Sequence, residues 1–228
     1  MNTEDFRQRL MVALDMPNAQ EAFALRDQLA EHVGWFKVGL RLFVAEGGSL
    51  VRNLLETHKV FLDLKFHDIP NTVAQAIESA GKLGVQMVNV HAAGGSDMLQ
   101  AAVKAAAAFP DMNLIAVTVL TSDPMPPEEA KKLAVKRALL AKEAGLQGAV
   151  CSVHEVANIK QACGHDFITV TPGIRWGNQG MQDQKRIADP KFAIESGADY
   201  LVVGRPIIQA QIPTDAADEA IAMMAAAT

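Results

Sequence analysis

Short apolar runs rich in Val, Ile and Leu recur along this chain, and most are followed by a longer, alanine-rich stretch with helical spacing. Eight such runs can be read: LMVALD (10–15), WFKVGL (35–40), VFLDLKF (60–66), VQMVNVHA (85–92), LIAVTVL (114–120), GAVCS (148–152), FITVTPG (167–173) and YLVVGRP (200–206). The segments 19–32, 71–84, 96–109, 127–145 and 155–163 read as helices between them. Strands covered by helices on both faces become nearly continuous apolar runs, as several of these are. Eight βα units in 228 residues predict an α/β chain folded as a (β/α)8 TIM barrel rather than an open doubly wound sheet. No linker or shift in composition interrupts the pattern, so the expectation is one domain over residues 1–228.

Half of the residues are hydrophobic and 21% are charged, which suits a compact body with a large core. The net charge of −5 and the absence of an extended Lys/Arg run argue against binding nucleic acid or an anionic membrane through a basic face. The opening MNTEDFRQRL has no apolar stretch of signal-peptide length, and no run approaches the roughly 18 apolar residues of a membrane span. A cytoplasmic location is expected. Cys151 and Cys163 are the two cysteines; they lack the second pair of a zinc site and read as a buried strand residue and a helix-end residue.

In such a barrel the chemistry gathers at the C-terminal ends of the strands. Asp15 ends the first run, Lys37 lies in the second, and FLDLKFHDIPNT places Asp63, Lys65 and Asp68 at the end of the third. Thr121 and Ser122 follow the fifth run, and Arg175 and Arg205 follow the seventh and eighth. Asp63 and Lys65 are two apart, so strand alternation puts them on one face. A lone Asp-x-Lys could equally be a buried ion pair that holds the fold, but the company of Lys37, Asp15 and Asp68 favours a site. His67 and His91 read as structural, and no metal-ligand spacing occurs. TPGIR (171–175) and VVGRP (202–206) each set a glycine near an arginine, which suits a phosphate: glycine admits close backbone approach and arginine supplies charge-assisted hydrogen bonds. DQKR (183–186) lies in a polar loop positioned to hang over that pocket.

Taken together, VALDMP (12–17), KVG (37–39), FLDLKFHDIPNTV (61–73), NVHAAGG (89–95), AVTVLTS (116–122), VTPGIR (170–175), DQKR (183–186) and VVGRPI (202–207) resemble the orotidine 5′-phosphate decarboxylase family. The resemblance runs in order through nearly the whole chain, and DLKFHDIPNT is its most specific part. It implies decarboxylation of orotidine 5′-phosphate to UMP and CO2 without metal or cofactor. Lys65 would donate a proton to C6, and Asp63 would stand beside the substrate carboxylate. Lys37 would bridge the ribose hydroxyls and the acids, and Asp15 would bind the ribose. Thr121 or Ser122 would meet the pyrimidine, Gln184 would link the ring side to the phosphate, and Arg175, Gly204 and Arg205 would hold the phosphate region. It further implies a homodimer in which Asp68, Ile69 and Thr72 reach into the partner's site. Two departures stand out: Arg41, where relatives often carry an acid, and the loop WGNQGMQ (176–182). The competing readings are a magnesium-dependent sugar-phosphate lyase or decarboxylase on the same barrel, a Schiff-base aldolase using Lys65, and a non-catalytic nucleotide-binding barrel.

Overall fold

The computed structural model describes residues 2–120, 123–177 and 188–227. Within them the eight apolar runs form parallel strands β1 (Leu10–Ala13), β2 (Trp35–Gly39), β3 (Lys59–Phe66), β4 (Met87–His91), β5 (Asn113–Val117), β6 (Gly148–Val150), β7 (Ile168–Thr171) and β8 (Tyr200–Val203). Each pairs with its neighbour in sequence, and β8 pairs with β1 through Leu10–Leu201, Met11–Val202 and Val12–Val203, so the sheet closes. Closure, which periodicity could not establish, makes this a (β/α)8 barrel.

The helices are α1 (Thr3–Arg7), α2 (Ala19–Leu29), α3 (Leu40–Leu55), α4 (Pro70–Leu83), α5 (Gly95–Ala106), α6 (Pro127–Ala144), α7 (Val153–Cys163), α8 (Pro190–Glu195), α9 (Arg205–Ile208) and α10 (Pro213–Ala225). Their limits follow local chemistry. Asn18 caps α2 by accepting from the Glu21 N–H at 2.9 Å, and Asp189 caps α8 by accepting from Phe192 N–H at 2.8 Å. Proline opens α4 and α6, and left-handed Gly84 and Gly145 close them.

Two apolar compartments hold these layers. The larger lies between strands and helices; the smaller fills the barrel with Met11, Trp35, Phe61, Met87, Ile115, Val170 and Val202. Because side chains alternate along a strand, the next inward positions above Trp35, Phe61 and Met87 are Lys37, Asp63 and Asn89. The apolar plug therefore forms a floor, and polar groups begin directly above it.

At the opposite end, Asp199 accepts from Lys160 Nζ at 2.6 Å, from the Thr169 N–H at 2.7 Å and from Thr169 Oγ1 at 2.9 Å. Arg9 donates to the Ala198 and Asp199 carbonyls. This knot ties the start of β7 and β8 to α7 and the first strand. Among the described residues, no helix is long and apolar enough to cross a membrane.

Candidate active site

A cavity of about 540 Å3 opens at the C-terminal end of the strands, and Asp15, Lys37, Asp63, Lys65, Arg175 and Arg205 all line it, with Gly204. Five strands or the turns after them, β1, β2, β3, β7 and β8, thus converge their charged or glycine positions on one space. On its floor the Lys65 ammonium stands 2.6 Å from Asp63 Oδ1, and Lys37 Nζ lies 3.4 Å from Asp63 Oδ2 and 3.3 Å from Asp15 Oδ1. The result is an alternating chain of charge, Asp15, Lys37, Asp63, Lys65. Its inner members are the least exposed, with Lys37 and Asp63 side chains at 10% and 12% against 32% for Lys65.

Burying a lone carboxylate costs several kcal/mol, so charge at this depth needs partners. Burial pushes the Asp63 carboxyl up, but Lys37 and Lys65, with hydrogen bonds from Lys65 and Asn89, outweigh it and hold the group below the usual carboxylate range. Asp63 is therefore ionised, and a second anion brought beside it meets a fixed negative charge. Gly39 is part of the same packing: a Cβ there would stand 3.0 Å from Lys37 Nζ, so a side chain would displace the ammonium.

The third strand reaches this arrangement by an unexpected route. Simple alternation puts Asp63 and Lys65 on one face, and they do meet, yet β3 is irregular between Leu62, which pairs with Val88, and Phe66, which pairs with Val90. Four steps of β3 face two of β4. Lys65 has φ of 53°, the only positive value among the described non-glycine residues. For a lysine such backbone costs about 1–3 kcal/mol and persists only where its surroundings enforce it. One of those surroundings is Asn89, fully buried, whose Oδ1 accepts from the Lys65 N–H at 2.8 Å while its Nδ2 donates to Asp63 Oδ1 at 2.7 Å. Asn89 is inconspicuous in the sequence; its one signal is an amide set between Val88 and Val90 in the middle of a strand, where a buried polar group needs a partner.

Asp68, Ile69 and Thr72 lie outside the cavity of their own chain and are exposed, Ile69 to 67%. The Asp68 carboxylate accepts from the Ile69 N–H at 2.7 Å. Thr121, Ser122 and Gln184 lie outside the described residues. His67 and His91 stack with ring centroids 5.4 Å apart, and His91 Nδ1 accepts from the Ala93 N–H. Burial, then Arg137 and His67, lower the His91 pKa, in keeping with a neutral structural ring. Cys151 and Cys163 are buried and unpaired with each other, as expected, and burial pushes both thiols up. Arg41 is exposed on α3.

Comparison with known proteins places this geometry in context. A protein of Legionella pneumophila (strain Paris) named orotidine 5′-phosphate decarboxylase is 50% identical over 219 residues, covering 90% of this chain and 94% of that one. One of the same name from Trichlorobacter lovleyi is 42% identical over 230 residues, covering 96% and 95%. The crystal structure of orotidine 5′-phosphate decarboxylase from Lactobacillus acidophilus superposes with a TM-score of 0.83 at 34% identity, over 95% of this chain and 99% of that one. An uncharacterized conserved protein from Geobacillus kaustophilus superposes with a TM-score of 0.79 at 35% identity, over 94% and 99%. The model of one family spans residues 8–220, from the start of the first strand past the last. With barrel and sequence in agreement over that length, the chain belongs to the Orotidine 5′-phosphate decarboxylase / HUMPS family.

Proposed function

We propose that this protein converts orotidine 5′-phosphate to UMP and CO2 in pyrimidine nucleotide synthesis. The observation that carries the reading is the Lys65 ammonium, 2.6 Å from ionised Asp63 at the floor of a cavity whose wall holds Arg175 and Arg205. Breaking the bond from C6 to the carboxylate leaves an electron pair on a ring carbon that the ring delocalises poorly. A cation fixed at that carbon is the direct remedy. Lys65 stabilises the developing charge, delivers a proton from Nζ to C6, and recovers one from solvent, so that one proton is consumed for each CO2 released.

Asp63 stands beside the substrate carboxylate, where its charge favours the state in which CO2 has departed. Lys37 holds Asp63 and reaches the ribose hydroxyls, and Asp15 binds the ribose. Arg175, Gly204 and Arg205 take the phosphate, whose binding energy helps order the site. Thr121, Ser122 and Gln184 complete the ring and phosphate contacts. The positive charge at the reacting carbon comes from an ammonium, so the reaction runs without metal or cofactor. The chain works in the cytoplasm as one domain and as a homodimer, with Asp68, Ile69 and Thr72 given to the partner's site. Exposed Val44 and Ile69, at 80% and 67%, support an apolar contact on that side.

The test is a spectrophotometric decarboxylation assay on orotidine 5′-phosphate with EDTA present, run beside sugar phosphates with and without magnesium. Loss of the orotate chromophore in EDTA is expected. Turnover of the sugar phosphates alone, or of orotidine 5′-phosphate only with magnesium, would overturn the reading.

A further inference from the structure

Asn89 sits where the third and fourth strands fall out of register, and it replaces what the ladder loses there. Between Leu62–Val88 and Phe66–Val90, β3 spends four steps against two of β4, so the Lys65 N–H is out of reach of a regular ladder partner. It donates instead to Asn89 Oδ1 at 2.8 Å, and the other end of the same planar amide donates to Asp63 Oδ1 at 2.7 Å. The orientation of the amide follows from its neighbours: a backbone N–H faces only an acceptor, and an ionised carboxylate faces only a donor. Asp63 Oδ1 also receives the Lys65 ammonium at 2.6 Å, so backbone N–H, amide, carboxylate and Nζ close a ring through two residues of β3 and one of β4. The four-carbon lysine side chain is flexible; this ring is not. Lys65 holds a left-handed backbone at φ of 53° with no glycine to make it easy.

We infer that Asn89 is a positioning residue for the decarboxylation: its amide holds the left-handed Lys65 backbone and one oxygen of the Asp63 carboxylate in a single rigid geometry, placing Nζ at the reacting carbon. This rests on the decarboxylase reading above. Asn89 touches Asp63 and Lys65, does not line the cavity, and acts through them.

Two variants separate positioning from mere packing. Asn89→Leu keeps the volume and removes both hydrogen bonds. A loss of about 100-fold in kcat is expected, with KM and the affinity for UMP changed by no more than about threefold, because the phosphate and ribose contacts are untouched. Asn89→Asp keeps the acceptor for the Lys65 N–H but faces Asp63 with a second carboxylate. When protonated, that carboxyl again donates to Asp63, so this variant should regain activity as pH falls, along a limb that wild type lacks. If Asn89→Leu does not fold, Asn89→Asp carries the test alone. A kcat within about threefold of wild type in Asn89→Leu, equal losses in kcat and UMP affinity, or a wild-type pH profile in Asn89→Asp would each overturn the inference. Wild type run in parallel distinguishes the failures: an inactive wild type sinks the decarboxylase reading and this inference with it, whereas an active wild type with unaffected variants sinks this inference only.

Discussion

Burial alone would push the Asp63 carboxyl upward, and it is the ammoniums of Lys37 and Lys65, with hydrogen bonds from Lys65 and Asn89, that reverse the direction. The consequence for stability has a definite sign. A carboxyl whose folded pKa lies below its unfolded value contributes stability that is fully present above the unfolded value of about 4. That contribution disappears as pH falls through the lower folded pKa. Carboxyl NMR titration of the folded protein should find Asp63 titrating below the ordinary aspartate range, and denaturant unfolding should show its share of stability lost only below about pH 4. Asp63 titrating above that value would contradict the charge balance. At this scale the charged residues were legible in the sequence, because ionisable side chains at the ends of apolar runs are conspicuous. Asn89 was not: a single neutral amide carries no charge signal, and its meaning depends on a register shift with a strand 24 residues away from Lys65.

Strands and helices divide the barrel into an end that carries the cavity and an end that holds the strands together. The Asp199 knot lies at the N-terminal ends of β7 and β8, away from the cavity, and Lys160 is its buried cation. Asp199→Ala removes three hydrogen bonds and, among the described residues, leaves Lys160 with the His165 and Phe167 carbonyls. A destabilisation of about 2–4 kcal/mol is expected by denaturant unfolding, with kcat unchanged in the folded variant. A large fall in kcat at unchanged stability would refute the division. All eight strands were readable from their apolar runs, although several end earlier than the runs do, since the last residues turn outward into loops: β6 stops at Val150 and β8 at Val203. The long α3 was not among the helices read from periodicity. Its sequence LRLFVAEGGSLVRNLL carries a glycine pair, and Gly47 at φ of 66° interrupts the helical backbone and hence the pattern. The bulge in β3 was equally hidden, because DLKF continues the apolar run without any glycine to mark it.

For the whole molecule, the fold places the cavity and its chain of alternating charge at one end of the barrel and the Asp199 knot at the other. The homodimer reading makes a quantitative prediction for Asp68, which is exposed on its own chain. Lys65→Ala and Asp68→Ala should each be nearly inactive as pure dimers. Mixed after subunit exchange, half of the dimers are hybrids, and in each hybrid one of the two sites carries neither change. About a quarter of wild-type activity per chain should return, and no recovery despite demonstrated exchange would refute site sharing. The most direct measurement is the decarboxylation of orotidine 5′-phosphate by folded Lys65→Ala in EDTA, beside wild type. An active wild type and a variant with almost no CO2 release are expected; a Lys65→Ala protein that decarboxylates at the wild-type rate would rule out Lys65 as the proton donor.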